Sequence, residues 1–261
     1  MRKHAKLAST MMVAGLFLVG CGGGGSSIPF DRLPDPTVRF FNASPDSAGL
    51  TFKINDDSRA ANLEYFQSSP DFAAIPFVND EDGAIDYSIS NAADDVELER
   101  DNAFFDRDKN FLIVAFGKVN PGVEFEKGLQ QVVMEIDRRP VQGKARLFIL
   151  NAYVNSQGSD NRQINFQTVD PTNPNSTQRP QFNRNNLVYG AFRTDSSVLD
   201  IDPGTRTFQA RAADSDGVVI LAQKTFVFEA NTLYFALVTG QADATDPARQ
   251  PKIEFFPLSP R

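Results

Sequence analysis

Short segments of alternating apolar and polar residues, separated by turn-forming clusters, recur from Thr37 onward. Phe, Val, Ile and Tyr, which favour strands, dominate these segments, and successive side chains of a strand point to opposite faces. The clearest of them are 37–42, 50–54, 84–90 and 205–211. Because no stretch of useful length in this region has helical periodicity, the sequence predicts an all-β fold.

The alternation also predicts which side chains face water. In the segment 205–211, Thr205, Thr207, Gln209 and Arg211 are expected to face solvent, and Phe208 is expected to face the core. Adjacent phenylalanines put one ring on each face of a strand. One ring of each pair is therefore expected at a surface or between packed layers, for the pairs Phe40-Phe41, Phe104-Phe105 and Phe255-Phe256.

An internal repeat runs through this region. Phe40-Phe41-Asn42-Ala43 matches Ile149-Leu150-Asn151-Ala152 at an offset of 109 residues, and 111–117 matches 234–240 at an offset of 123. The larger second offset indicates an insertion in the second copy. We expect this insertion in the polar, proline-bearing segment 170–180.

The repeat predicts the domain organisation. About 240 residues exceed one ordinary β-sandwich, so we predict two tandem Ig-like antiparallel β-sandwich domains, at 37–140 and 141–261. The segments 129–136 and 252–256 are expected to close the two sandwiches as their last strands.

The N-terminus predicts export and lipid attachment. Three basic residues precede an apolar stretch that is shorter than the ~20 residues needed to span a membrane. The stretch ends at Leu18-Val19-Gly20-Cys21, where small residues precede the only cysteine of the chain. We therefore predict a lipoprotein signal peptide over 1–20, cleavage between Gly20 and Cys21, and a lipid on the Cys21 sulfur.

A tether is expected to follow the lipid. Residues 21–36 are rich in Gly, Ser and Pro, and a flexible chain of this length has a mean reach of roughly 20 Å. Gly22 stands where the inner-membrane retention signal of enteric lipoproteins has an aspartate. By analogy, we expect a lipid-anchored cell-envelope protein at the outer membrane of a Gram-negative bacterium.

Composition excludes several kinds of chemistry. The one histidine, His4, lies in the signal, so the mature chain lacks imidazole and any thiol that is not lipidated. Catalysis by Ser-His-Asp or Cys-His groups and zinc sites with imidazole or thiolate ligands are therefore excluded. The signal holds three of the 26 basic residues and none of the 33 acidic ones, which leaves the mature chain at −10. Nucleic acid is accordingly not expected as a partner.

Three segments carry a resemblance to a bacterial family. Val38-Arg-Phe-Phe-Asn-Ala-Ser-Pro45, 199–211 and 229–240 resemble the module known as domain of unknown function 4397, which often occurs in tandem. The resemblance covers most of residues 37–257. It implies an exported β-sandwich with a small-Ser-Pro turn after the first strand and a hairpin at Asp202-Pro203-Gly204, and it supplies no catalytic residues.

Acidic turns raise the possibility of a cation site. Calcium takes six to eight oxygen ligands, which carboxylates and carbonyls supply. No metal or other cofactor is required by the sequence, and none of these turns has the full spacing of a calcium loop. The candidate ligands are Asp80, Asp82, Asp94, Asp95, Asp214 and Asp216.

The sequence thus predicts a non-enzymatic protein that displays a binding or structural β-sandwich surface. Its expected partners are the membrane, through the N-terminal lipid, and an envelope protein or a surface polymer. Two alternatives remain open, an accessory hydrolase that works through carboxylates and an adhesion module with calcium-ordered loops. We expect a long connection over 154–186, which is either a recognition element or disordered.

Overall fold

The computed structural model describes residues 33–76, 84–120, 128–154, 163–169, 183–193, 197–213, 219–242 and 244–258. Pro34–Arg261 forms one compact unit. Across the described ranges, no helix has the length and apolar character required to cross a membrane. The signal peptide, the Gly20/Cys21 cleavage site and most of the tether lie outside these ranges, so their assignment stays a prediction.

Sixteen strands lie in the described part of the chain, with one short 3-10 helix, Pro247–Arg249, before the last strand. The strands are β1 Thr37–Asn42, β2 Leu50–Ile54, β3 Asp57–Leu63, β4 Ala73–Ala74, β5 Ala84–Asn91, β6 Glu97–Phe104, β7 Asn110–Phe116, β8 Gln130–Ile136, β9 Ala145–Val154, β10 Ile164–Val169, β11 Asn183–Leu187, β12 Val198–Ile201, β13 Gly204–Ala212, β14 Ile220–Phe228, β15 Thr232–Gln241 and β16 Lys252–Leu258.

The strands form four sheets whose orders repeat along the chain. Outer sheet one has the order β3-β2-β5-β6 and inner sheet one the order β4-β1-β7-β8. The second half of the chain gives inner sheet two, β12-β9-β15-β16, and outer sheet two, β11-β10-β13-β14. Each strand of the first half thus has a counterpart at the same place in the second half, as the internal repeat predicts.

Each half is a two-sheet sandwich with its own core, which confirms the predicted all-β sandwich class. Phe40, Phe52 and Ile89 lie in the core between the first two sheets, and Phe166 and Phe208 lie in the core between the last two. Most strand pairs are antiparallel, but β1 pairs with β7 in parallel and β9 pairs with β15 in parallel. The division at residues 140 and 141 falls between β8 and β9 and stays a prediction as a domain boundary.

The two inner sheets face each other across a third apolar layer, here called the central core. Strands β1, β7, β9 and β15 are therefore buried on both faces, and Phe40 and Phe41 enter different cores, as predicted for adjacent rings. The central core consists of Phe41, Ala43, Leu112, Val114, Phe116, Met134, Ile136, Phe148, Leu150, Ala152, Leu233, Phe235, Leu237 and Leu258.

A buried asparagine explains the best-matched part of the repeat. Asn42 is the last residue of β1, Asn151 lies on β9, the first strand of the second half, and both are 1% exposed. Each Nδ2 donates to a leucine carbonyl, Leu63 O at 2.8 Å and Leu187 O at 2.9 Å. Each Oδ1 accepts from the backbone N–H two residues later. Each side chain therefore ties the first strand of its sandwich to the end of the third strand.

Those leucines begin another pair of matching segments, which the internal repeat described above does not include. Leu63-Glu64-Tyr65-Phe66 corresponds to Leu187-Val188-Tyr189-Gly190 at an offset of 124. Phe66 and Gly190 both have positive φ, +74° and +67°, and both donate a backbone hydrogen bond to the preceding asparagine. The rise in offset from 109 to 124 puts the extra residues of the second half between β9 and β11. That interval contains 170–180, which lies outside the described residues.

Two predictions about connections are wrong. Asp202-Pro203-Gly204 does not form a hairpin, because β12 belongs to inner sheet two and β13 to outer sheet two. The chain crosses between the sheets there, with Gly204 at a φ of +114°. The expected single connection over 154–186 contains β10 and most of β11. The alternation Ile164-Asn-Phe-Gln-Thr-Val169 is the signal that identifies β10.

The prediction that Thr207 and Gln209 face solvent is wrong, although Phe208 on the other face of β13 lies in the core as predicted. Thr207 and Gln209 are 2% and 0% exposed. Thr207 Oγ1 lies 2.8 Å from Thr225 Oγ1 on β14, and Gln209 Nε2 donates to Gln223 Oε1 at 2.7 Å. Neighbouring polar side chains therefore take the place of solvent on this strand.

Polar contacts also join the two halves. Arg39, on β1, donates to the Pro257 carbonyl on β16 and to two serines of its own half. Lys252, on β16, has its Nζ 3.9 Å from the Phe66 ring centroid and 4.8 Å from the Tyr65 ring centroid. Burial lowers the pKa of both cations, which shows that these contacts are partly withdrawn from water.

The buried phenol of Tyr65 makes the stability of the protein depend on pH in the alkaline range. Burial raises the pKa of this phenol to about 12, whereas an unfolded tyrosine titrates near 10. Between these values the unfolded state binds fewer protons than the folded state, so stability falls as pH rises. We expect the unfolding free energy to fall by about 1 kcal/mol more in the wild type than in Tyr65→Phe between pH 9.5 and 11. Urea titrations at both pH values measure this, and equal losses would contradict it.

Candidate functional site

The sequence-derived candidates for a cation site are only partly described. Asp80, Asp82, Asp214 and Asp216 lie outside the described residues. Asp94 and Asp95 lie in the turn between β5 and β6. Within the ranges that the structure describes, no three His, Cys, Asp or Glu side chains are grouped as metal ligands. The calcium site stays a prediction.

Asp94 and Asp95 have local roles in that turn. Asp94 Oδ1 accepts from the Val96 N–H at 3.2 Å. Asp95 Oδ1 lies 2.7 Å from Lys53 Nζ and accepts from Ser90 Oγ at 2.8 Å. The hydrogen bond from Lys53 lowers the pKa of the Asp95 carboxyl below its usual range. Both carboxylates therefore stabilise the turn and the adjoining strands.

The outer sheets differ in chemistry. On outer sheet one, Arg100 contacts Asp56 at 2.6 Å and Glu97 at 2.7 Å, so charged groups are paired across the surface. On outer sheet two, the corresponding positions carry the amides and hydroxyls of β13 and β14, including Gln209 and Thr207.

A recess does occur where the chain enters the first sandwich. It has a volume of about 360 Å³ and is lined by 108–110, at the start of β7, and by 135–139, at the end of β8. We call it the Asn110 cleft. Its volume is within the range of small-molecule sites, ~300–1,000 Å³. The Asp108 N–H donates to the Pro34 carbonyl at 2.8 Å, so the cleft lies beside the last residues of the tether.

Asn110 is the most buried polar residue of the cleft, at 6% exposed. Its Oδ1 accepts from Thr37 Oγ1 at 2.8 Å and from Arg138 Nη1 at 3.3 Å. Because a guanidinium can only donate, the atom of the Asn110 amide that faces Arg138 must be the oxygen and not the nitrogen. The Nδ2 group donates to none of the described residues and keeps access to the cleft.

Arg138 is held in place by an aromatic ring. Its guanidinium carbon lies 4.2 Å from the centroid of Phe72, on the connection that leads to β4. A guanidinium plane over a ring is favoured by the ring quadrupole and loses much of its freedom. The hydrogen bond to Asn110 involves the same guanidinium, so two contacts order the Arg138 head before any ligand binds.

Four other charged side chains of the cleft form two ion pairs. Lys109 Nζ lies 2.6 Å from Glu135 Oε1, and Arg139 Nε lies 2.8 Å from Asp137 Oδ1. The Arg139 hydrogen bonds lower the pKa of the Asp137 carboxyl, and the hydrogen bond to Glu135 raises the pKa of Lys109. Asp137 also lies 3.8 Å from Arg146 on β9, which links the cleft to the second sandwich.

This arrangement does not favour the hydrolase alternative. A glycosidase needs one carboxyl group that holds its proton near neutral pH, which requires a raised pKa. The pKa of Asp137 is lowered instead, because Arg139 stabilises its ionised form. Burial raises the pKa of Glu99, but this residue lies on the edge strand β6 and not in the cleft.

Sequence reasoning missed this cleft. Asn110 opens an otherwise apolar strand, and Arg138 follows an edge strand, so each resembles an ordinary strand terminus. Asn110 is nevertheless the only polar residue in the seven of β7, which is a usable signal. The pairing of β7 with β8 brings Asn110 opposite Ile136 and so places these residues together.

Comparisons with known proteins give no family. No family model matches the chain, and no curated protein matches it. The solved structures similar to it include family 41 carbohydrate-binding modules from streptococcal virulence factors, reported for α-glucan recognition, at 12% identity, 84% coverage of this chain, 96% of that chain and a TM-score of 0.26. A family 26 carbohydrate-binding module from Eubacterium rectale Amy13K, solved with maltoheptaose, has 9% identity, 87% and 98% coverage and a TM-score of 0.23. At such TM-scores neither likeness carries an argument about ligand or fold.

Proposed function

We propose that this protein is a non-catalytic, lipid-anchored binding protein of the bacterial cell envelope. The observation that carries the proposal is the central core, which joins two sandwiches into one body through sheets buried on both faces. Such a body holds a surface or cleft in a fixed orientation, which suits display and binding. The proposal includes membership of the tandem modules that the 38–45, 199–211 and 229–240 segments resemble.

Three features support the anchored location. The sequence Leu18-Val19-Gly20-Cys21 provides a cleavage site and a lipid acceptor, and the tether provides distance from the membrane. The tether leads to Pro34, whose carbonyl contacts the Asn110 cleft. Under this proposal the cleft lies at the end of the protein that is tethered to the membrane.

Two features support a non-catalytic role. The mature chain has no histidine and no free thiol, which removes the common nucleophile-base pairs. The cleft carboxylates Glu135 and Asp137 form ion pairs with Lys109 and Arg139. Binding of an envelope component is therefore the function that this geometry serves best.

Fractionation tests the anchor. The full chain is expressed in a Gram-negative host with labelled palmitate, beside Cys21→Ala and a tether control, Ser26→Ala. We expect the wild type and Ser26→Ala to carry label and fractionate with the outer membrane, and Cys21→Ala to be unlabelled and soluble. Identical fractionation of all three proteins would contradict a lipid anchor on Cys21.

Binding and hydrolysis are separated by a second experiment. The soluble Cys21→Ala protein is mixed with isolated envelopes, and both cosedimentation and the release of soluble sugars or peptides are measured. We expect cosedimentation without release. Release of fragments over time would favour the hydrolase, and protein that stays wholly in the supernatant would contradict a binding function.

A further inference from the structure

The charges that line the Asn110 cleft balance one another. Three cationic side chains, Lys109, Arg138 and Arg139, face three carboxylates, Asp108, Glu135 and Asp137. An inorganic anion at this site would meet the carboxylates, and a divalent cation would meet the two arginines and the lysine. Neither ion gains a favourable field, because like charges within a few ångströms oppose its binding. The lining therefore favours a ligand with no net charge.

The same lining is rich in hydrogen-bonding groups of both kinds. The accessible Asn110 Nδ2 is a donor, and the cationic side chains offer further N–H groups. A carboxylate has about four acceptor positions, so one ion pair at Glu135 leaves others for a ligand. A hydroxyl group both donates and accepts. A polyhydroxyl ligand can therefore satisfy both kinds of group at once, which an apolar ligand or a simple amine cannot.

The site is also organised before a ligand arrives. Asn110 is 6% exposed, and both contacts of its Oδ1 come from side chains of other elements, Thr37 and Arg138. The Phe72 ring contacts the Arg138 guanidinium as well. Pre-ordering of polar groups reduces the entropy lost on binding.

We propose that the Asn110 cleft binds a neutral sugar unit of an envelope glycan. The inference rests on the binding function proposed above and names its ligand class. Asn110 Nδ2 donates to a sugar hydroxyl, Glu135 accepts from another, and Arg138 holds the Asn110 amide in the orientation that binding needs. Arg138 is in this respect a positioning residue for the amide.

Calorimetry on the full chain tests the proposal. The chain is kept in a detergent without a sugar headgroup and titrated with maltose, cellobiose and chitobiose, and with inorganic phosphate as the charged comparator. Asn110→Asp retains an acceptor for Thr37 and Arg138 but loses the Nδ2 donors, so it preserves the fold while changing the site. Lys144→Gln, which removes an exposed ion pair with Asp202 at the same end of the protein, is the matched control.

We expect at least one neutral disaccharide to bind, with affinity lowered about tenfold or more in Asn110→Asp and unchanged in Lys144→Gln. Binding of phosphate without binding of sugars would overturn the ligand class. Sugar binding that Asn110→Asp leaves unchanged would overturn the cleft as its site. Absence of any sugar binding, with cosedimentation of the protein with envelopes intact, would overturn this inference and leave the proposed binding function standing.

Discussion

Replacement of Gly240 by alanine is expected to lower the unfolding free energy by about 2–5 kcal/mol. Gly240 is the penultimate residue of β15 and has a φ of +110°, a conformation that costs an L-residue about 1–2 kcal/mol. A Cβ there would overlap the Gln250 carbonyl oxygen and lie 2.7 Å from the Pro251 Cα. Both are backbone atoms, so relief requires movement of the chain, and overpacking of this kind costs a further ~1–3 kcal/mol.

Gly204 provides the matched control. It has nearly the same φ, +114°, but no heavy atom lies within 4 Å of an added Cβ. Gly204→Ala is therefore expected to lower the unfolding free energy only by the cost of the backbone conformation, about 1–2 kcal/mol. Urea unfolding of both variants separates the two contributions. Equal losses would show that the close approach of Gln250 to Gly240 is absent in solution.

Truncation of Phe235 to alanine is expected to destabilise the whole protein by about 3–5 kcal/mol. Phe235 is 0% exposed and lies in the central core, with its ring centroid 4.8 Å from that of Phe41 in the other sandwich. The cavity would form between two sheets that are both covered on their other faces, so neither can collapse into it freely. We expect both sandwiches to unfold together in a single transition, at a lower urea concentration than in the wild type.

Phe104 is the control for this substitution. It lies at the end of β6 and is 69% exposed, so Phe104→Ala is expected to change stability by less than about 0.5 kcal/mol. The comparison uses the same chemical change at a buried and an exposed site. A small effect of Phe235→Ala would mean that the central core contributes little, and it would contradict the account of the fold.

Period-two alternation was enough to predict several strands. The segments 37–42 and 50–54 coincide with β1 and β2, and 205–211 lies within β13. Alternation works for 50–54 because Leu50, Phe52 and Ile54 lie in the core, whereas Thr51 and Lys53 are only partly buried. The Phe104-Phe105 pair also behaves as predicted, with Phe105 buried and Phe104 exposed.

The central core could not be predicted from the same pattern. Strands such as β7, Asn110–Phe116, are buried at every residue, so their sequence is a continuous apolar run without alternation. A run of this kind predicts burial on both faces but does not identify what covers each face. The parallel pairing of β1 with β7 is likewise invisible, since it joins segments some seventy residues apart.

The Asn110 cleft shows a different limit. Asn110 and Arg138 are 28 residues apart, and only the register of β7 against β8 brings them within hydrogen-bond distance. Phe72 comes from a third part of the chain. No spacing rule connects these residues. By contrast, Asn42 and Asn151 occupy the same position in the two matched segments of the internal repeat. The sequence alone therefore relates them to each other.

The most direct test of the account is hydrogen exchange of the wild-type chain in increasing urea, read by mass spectrometry in both sandwiches. The informative peptides cover β5 in outer sheet one and β13 in outer sheet two, which lie on opposite sides of the central core. If the central core joins the sandwiches into one body, both peptides exchange with the same free energy and the same urea dependence. Two distinct free energies, with one sandwich opening while the other stays protected, would contradict the claim.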